Sequence, residues 1–186
     1  MIKFEKVSKY SDLDVTLPKR ATAASAGYDF AAAADVGVPS FAMLEDMMAH
    51  ELEKRETIFD ISESAYQLSE VSEFLKKAHA RPTLIPTGIK CHLDSDKYLE
   101  ISLRSSSPLK YLMILANGIG IIDADYYNNP DNEGEIFFQV LNLSPFPYII
   151  HKGDKIGQGI IKEYLLTDDD VAAGSRTGGF GSTSEG

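Results

Sequence analysis

Apolar and polar residues alternate most cleanly over Tyr98-Leu99-Glu100-Ile101-Ser102-Leu103-Arg104. That puts Leu99, Ile101 and Leu103 on one face and predicts a strand buried on one side. Thr83 to Lys90 suits a strand with a turn, Glu135 to Leu143 reads as a core strand, and Gly153-Asp154-Lys155 is a turn before Ile156 to Ile161. Residues 1–17 alternate loosely and predict a first strand and a loop ending at Pro18. Residues 21–34 are rich in small side chains around Gly27-Tyr28-Asp29. The polar run Tyr127-Asn128-Asn129-Pro130-Asp131-Asn132-Glu133-Gly134 is full of turn formers and predicts a loop.

The period changes over 39–80. Ser40 can cap a helix in which Phe41, Leu44, Met47, Met48 and Leu52 form one apolar stripe. Asp60-Ile61-Ser62-Glu63 has the form of a capping box. Ile61, Ala65, Leu68, Val71, Leu75 and Ala78 then make a second stripe, which Arg81-Pro82 ends. This segment predicts a helical hairpin set into a β-protein. It carries nine acidic against four basic residues, a net charge of −5, so its outer faces are expected in water. Short strands, frequent turns and little helix elsewhere predict an all-β jelly roll or distorted β-barrel. The predicted layout is a β domain over 1–170, a helical insertion at 39–80 and a flexible arm at 171–186.

The stretch Asn117-Gly118-Ile119-Gly120-Ile121-Ile122-Asp123-Ala124-Asp125-Tyr126 ends a small and β-branched run on a carboxylate. Gly118 and Gly120 permit a tight hairpin with positive φ. Ile121 and Ile122 are expected to anchor the returning strand in a core, holding Asp123 steady enough for a general base. Asp123-x-Asp125 alone also reads as a solvated turn or a metal site.

At 186 residues the chain holds one domain plus an insertion. Its formal net charge of −10 argues against a nucleic-acid backbone as partner, because phosphate contacts need a basic surface. A small phosphorylated ligand remains compatible, held by a few arginines and backbone N–H groups. No apolar run approaches the ~20 residues that span a bilayer, so no membrane association is expected. Met1-Ile2-Lys3-Phe4-Glu5 reads as a strand, without a signal-peptide core. The single cysteine, Cys91, excludes an internal disulfide framework and fits a reducing cytoplasm. Among strand-like neighbours it is expected to be a buried, inert thiol, and His50 and His79 are expected on the surface rather than on a metal.

Four other segments carry candidate chemistry. In Ala26-Gly27-Tyr28-Asp29-Phe30, Asp29 is either one surface aspartate on a packed strand or a carboxylate facing a cation through water. Arg104-Ser105-Ser106-Ser107 combines a guanidinium, hydroxyls and backbone donors suited to phosphate oxygens, or forms a capped strand–helix junction. Gly153-Asp154-Lys155-Ile156-Gly157-Gln158 is a turn followed by a strand bearing one amide. Arg176-Thr177-Gly178-Gly179-Phe180-Gly181-Ser182-Thr183 lies in a Gly/Ser-rich tail too polar to bury itself.

Together with Asn117 to Tyr126, these five segments resemble, in order, the five motifs of the trimeric dUTP pyrophosphatases (dUTPases). The resemblance covers most of the chain outside 39–80. It implies a dUTPase-like fold, a homotrimer with active sites shared between subunits, and hydrolysis of dUTP to dUMP and pyrophosphate with Mg²⁺ on the triphosphate. It further implies that Asp123 takes a proton from the attacking water and that Asp29 orients the metal through water. Arg104, Ser105, Ser106 and Arg176 would hold phosphates, with Gln158 holding a water beside them. Asn117, with backbone at Gly120 and Ile122, would read the uracil, and Tyr126 under the sugar would exclude a 2′-hydroxyl. Phe180 would stack on the uracil, Ser182 and Thr183 would add hydrogen bonds, and the glycines of this arm, Gly181 among them, would let the backbone approach the phosphates as the arm orders over the nucleotide.

Two departures from the family pattern stand out. Arg104-Ser105-Ser106-Ser107-Pro108 replaces the common Arg-Ser-Gly-Leu and is nearer the related dCTP deaminases, which keeps a deaminase or a bifunctional deaminase–dUTPase open. The 127–134 loop extends a turn that the common form keeps short. The 39–80 segment has no usual counterpart; it is either a packing or trimer-edge decoration, or an active-site lid or protein-partner surface serving a regulatory nucleotide-binding role.

Overall fold

The structure is a computed structural model and describes residues 1–54, 68–172 and 174. In chain order the first elements are β1 (Lys3–Lys6), β2 (Lys19–Arg20), β3 (Tyr28–Ala31), β4 (Val36–Val38), α1 (Phe41–Glu53) and α2 (Leu68–Lys77). Next come β5 (Thr83–Pro86), β6 (Ile89–His92), β7 (Lys97–Leu103), α3 (Ser106–Tyr111), β8 (Met113–Leu115) and β9 (Gly120–Ile122). The chain continues through β10 (Phe137–Asn142), β11 (Tyr148–Ile150) and β12 (Lys155–Glu163). The largest sheet has the order β2-β3-β12-β7-β9, and a second has the order β5-β10-β8. Two further pairs, β1 with β6 and β4 with β11, complete the set, and every strand pair is antiparallel. The layout is the expected all-β jelly roll, and no helix among the described residues is long and apolar enough to cross a membrane.

The core lies between the sheets. Leu99 and Ile101 point inward from β7, and Phe138 and Val140 from β10, as period-two alternation requires. Phe30 and Phe138 meet across the gap with ring centroids 5.8 Å apart. Each fully buried aliphatic or aromatic side chain there contributes about 1.5–3 kcal/mol. At Gly157 the packing leaves no room for a side chain: a Cβ would stand 2.0 Å from Phe138 Cε1 and 2.6 Å from the Ser102 carbonyl oxygen. Cys91 is buried in this core, and burial pushes its thiol up to about 12, as expected of an inert cysteine.

Two expectations change. First, β8 and β9 do not pair with each other as arms of a hairpin. β8 joins β10 and β9 joins β7, so the turn between them carries the chain from one sheet to another. Gly118 has the positive φ, +74°, but Gly120 does not. Gly120 is required instead by contact: a Cβ there would lie 2.6 Å from Ile101 Cγ1. Second, Ile121 is 49% exposed, and only Ile122 packs against the core. Because side chains alternate along a strand, two successive isoleucines cannot both face inward. The chain opens as expected on a strand, Lys3–Lys6, and a loop, in which a 3₁₀ turn at Ser8–Tyr10 buries Tyr10. Gly88, at φ +68°, faces that ring; a Cβ would meet Tyr10 Cγ at 2.9 Å.

The helical segment begins as read: Ser40 Oγ accepts from the Met43 N–H at 3.2 Å and caps α1. Its apolar face is narrower than the predicted stripe. Leu44 and Ala78 are buried, with Met47, Met48, Phe74 and Leu75 around them and Leu141 of β10 beneath. Phe41 and Leu52 are exposed, as is Val71 of α2. The 60–63 signature, Ile61, Ala65 and the side chain of Leu68 lie outside the described residues. His50 and His79 are exposed, as expected.

The 127–134 loop is tied down rather than loose. The Tyr127 hydroxyl donates to Glu5, and Lys90 Nζ stands 5.2 Å over the Tyr127 ring. Glu133 accepts from the Ser8 N–H at 3.1 Å and from Lys90 at 3.4 Å. These contacts fasten the loop to β1, β6 and the 3₁₀ turn between them.

Gly157→Ala should lower the urea midpoint of unfolding, with a loss of about 1–3 kcal/mol from overpacking against Phe138. An unchanged midpoint would mean that the sheets can separate there at no cost.

Candidate active site

The turn after β8 delivers Asn117, and β9 returns along β7 with Gly120 opposite Ile101 and Ile122 opposite Leu99. Asp123 follows the last paired residue and begins one 3₁₀ turn, Ala124–Tyr126. Its backbone is therefore held from both sides while its side chain stays partly exposed. A pocket of about 200 Å³ is lined by Asn117, Gly120, Ile122, Asp123 and Tyr126, so five of the expected residues converge. Ile121 completes the β9 side, and Phe137 and Gln139 form a wall from β10. Tyr126 is 6% exposed; its hydroxyl donates to the Glu135 carbonyl at 2.9 Å and accepts from Asn132 Nδ2 at 2.8 Å.

A second cleft, of about 380 Å³, opens at the far end of β7. Arg104 leaves the strand into solvent and lines this cleft with Ser106 and Ser107 of α3, while Asp154 and Lys155 line it from the start of β12. Ser105 is exposed at the N-cap position of α3, but its hydroxyl makes no capping bond. The junction reading of this segment is thus correct for the backbone and not for a side-chain cap.

Asp29 and Gln158 sit opposite each other on β3 and β12, and neither lines either cleft. Lys155 Nζ donates to Asp29 Oδ2 at 2.7 Å, so the carboxylate already faces a cation. Gly27 makes room for the Gln158 amide: a Cβ there would lie 2.5 Å from Gln158 Oε1. Among the described residues no group of three or more His, Cys, Asp or Glu is placed to hold a metal ion. Arg176, Phe180, Gly181, Ser182 and Thr183 lie outside the described residues.

A sequence model of the dUTPase family matches residues 61–184. The chain is 37% identical over 182 residues to the deoxyuridine 5'-triphosphate nucleotidohydrolase of Lactococcus lactis subsp. lactis (strain IL1403), spanning 97% of this chain and 95% of the relative. This chain belongs to the dUTPase family. Its fold superposes on the crystal structure of the Streptococcus mutans dUTPase with a TM-score of 0.64 at 31% identity, over 89% of this chain and 98% of that one. A dUTPase from phage phi11 of S. aureus shares the fold, with a TM-score of 0.57 at 14% identity over 92% and 96% of the two chains. The deaminase alternative is not favoured by these matches, and nothing in them supports a protein partner for the 39–80 segment.

Within this dUTPase chain, three pocket features escaped the sequence reading. Phe137 and Gln139 were legible only as outward positions of β10; that they face the Asp123 turn depends on which strand lies beside it. Lys155 stood inside a quoted motif, but its contact with Asp29 spans 126 positions along the chain. The hold on Tyr126 comes from Asn132 and Glu135, which the motif pattern does not mark.

Glu135 is itself buried, accepting from the Gly88 N–H at 3.0 Å, and desolvation raises its carboxyl above the usual 4.5. Below the usual value both folded and unfolded chains carry the proton and stability is unaffected. As pH rises, the unfolded chain ionises first, so the folded state loses stability between the usual value and the raised one. Glu135→Gln keeps the acceptor for Gly88 and removes the charge. Its Tm should exceed the parent's at neutral pH, and the difference should vanish as pH falls through the carboxylate range; a pH-independent difference would rule out this cause.

Proposed function

We propose that the chain is a dUTP diphosphatase that hydrolyses dUTP to dUMP and pyrophosphate, keeping uracil out of DNA and supplying dUMP for dTMP synthesis. The observation that carries this reading is the pocket in which Asn117, Tyr126 and the Asp123 carboxylate converge. Uracil enters beside the Asn117 amide and the backbone of Gly120 and Ile122. Cytosine presents the opposite donor pattern and leaves buried groups unpaired, a discrimination that reaches ~10⁴. The Tyr126 ring lies under the sugar and leaves no room for a 2′-hydroxyl. At the pocket rim Asp123 accepts a proton from the water that attacks the α-phosphorus.

Arg104, Ser105 and Ser106 hold phosphate oxygens, with Gln158 fixing a water near them. From the tail, Arg176 would grip the γ-phosphate, Phe180 would stack on the uracil, Ser182 and Thr183 would add hydrogen bonds, and glycines such as Gly181 would allow close backbone approach. Placement and charge neutralisation supply the rest of the rate. Mg²⁺ arrives as part of the nucleotide. Asp29, on β3 opposite Gln158, would hold the ion through water, and Lys155, which now bonds it, would have to give way. The phage phi11 dUTPase is described with a structural Mg(II) ion, which adds support for magnesium in this fold.

The clefts carrying Asp123 and Arg104 share no residue. In the homotrimer we propose, one subunit's base pocket meets another's phosphate groups. A reducing cytoplasm keeps the lone Cys91 a thiol.

Purified protein should release pyrophosphate from dUTP with Mg²⁺ and no ammonia from dCTP. Asp123→Asn should bind a non-hydrolysable dUTP analogue as the parent does while kcat falls ~10²–10⁴-fold; near-normal turnover would reject Asp123 as the base. Truncation after Gly174 should leave Tm unchanged and cut turnover sharply. Full activity of the truncated chain would remove the tail from the mechanism.

A further inference from the structure

The residue after Tyr126 starts the extended 127–134 loop, and that loop folds back onto the Tyr126 ring. The Tyr126 hydroxyl is enclosed, with its proton on the Glu135 carbonyl and its lone pair on Asn132 Nδ2. Asn132 is in turn held by its other atom: its Oδ1 accepts from Asn129 Nδ2 at 2.8 Å and from the Gly134 N–H at 3.0 Å. Asn129, 5% exposed, also donates to the Tyr126 carbonyl at 2.9 Å, and its Oδ1 accepts from the backbone of Asp131 and Asn132 at 3.1 and 3.2 Å. Gly134, at φ +80°, lets the backbone close this tightly; a Cβ would fall 2.5 Å from the Tyr126 carbonyl.

We infer that Asn132 is a positioning residue for sugar selection: it holds the Tyr126 phenol so that the ring cannot yield to a 2′-hydroxyl. The inference rests on the reading of Tyr126 as the wall beneath the sugar. Steric exclusion works only when the wall is stiff. A ring fixed at Cβ alone swings when pressed, whereas a ring tethered also at its hydroxyl, in a buried site, must break hydrogen bonds to move. The loop supplying that tether is fastened independently through Tyr127 and Glu133, so it resists the push rather than following it. Asn132 touches no reacting atom; it acts through Tyr126.

The test compares kcat/KM for dUTP and UTP, with Mg²⁺, in the parent and in Asn132→Ala, Tyr126→Phe and the double variant. The preference is a ratio measured on one preparation, so partial loss of folded protein cancels. Asn132→Ala should lower the dUTP preference ~tenfold, the worth of one buried hydrogen bond, chiefly by easing UTP in, with kcat for dUTP retained. Tyr126→Phe, which also gives up the bond to the Glu135 carbonyl, should lose at least as much, and the double variant little more than Tyr126→Phe, because the Asn132 tether acts only through that hydroxyl. Should Asn132→Ala fail to fold, Asn132→Asp, which keeps the acceptor used by Asn129 and Gly134 but cannot donate an amide proton, reads the same ratio. An unchanged ratio in Asn132→Ala, or fully multiplicative effects in the double variant, overturns the inference while leaving dUTP hydrolysis standing. A parent protein with no preference for dUTP over UTP overturns the reading of Tyr126 and the inference with it.

Discussion

Everything in the candidate site is referred to the short ladder between β9 and β7. Three registered pairs set Gly120 against Ile101 and Ile122 against Leu99, and the side chains opposite are themselves core residues. The approach at Gly120 is so close that only hydrogen fits in place of a Cβ. Asp123 leaves the ladder directly after its last pair. Its backbone position is thus inherited from the pairing of β9 with β7, whose Leu99 and Ile101 lie in the core, and so is the entry angle of the turn that buries Tyr126. A catalytic group gains from such a mount because its supporting shell cannot relax without opening the core.

The second organising surface is the outward side of β10. Phe137 lines the base pocket, Leu141 anchors the helical insertion, and Gln139 between them lines both the base pocket and a groove against α2. The inward residues of the same strand, Phe138 and Val140, fill the core. One strand therefore supports the interior, the pocket wall and the inserted helices at once. Its alternation is under constraint on both faces, which is unusual for a strand near the surface.

The loop after Tyr126 shows how a polar segment acquires order without an apolar core. Asn129 and Asn132 replace missing backbone partners with side-chain amides, a mode of turn building open to Asn at little steric cost. Asn128 and Glu133 both take positive φ in the loop, and each is placed to bond outward, Asn128 to Lys90 and Glu133 to Ser8.

Local pattern was enough for β7 and the α1 cap. Strict alternation placed Leu99 and Ile101 inside, and Ser40 before an apolar stripe started α1 where its hydroxyl indeed caps the helix. The clustering of Asn117 to Tyr126 could be read as well, since those residues are close along the chain and share one turn. Partnerships across long separations were invisible. The turn at Gly118 looked like a hairpin because tight turns usually join paired strands, yet here each flanking strand found a better partner in a different sheet. The width of the α1 stripe, the exposure of Ile121, the Asp29–Lys155 pair and the wall made by Phe137 and Gln139 belong to the same class. Periodicity tells a side chain which way to face relative to its own backbone; which neighbour occupies that side is settled only when distant segments compete for the same buried area.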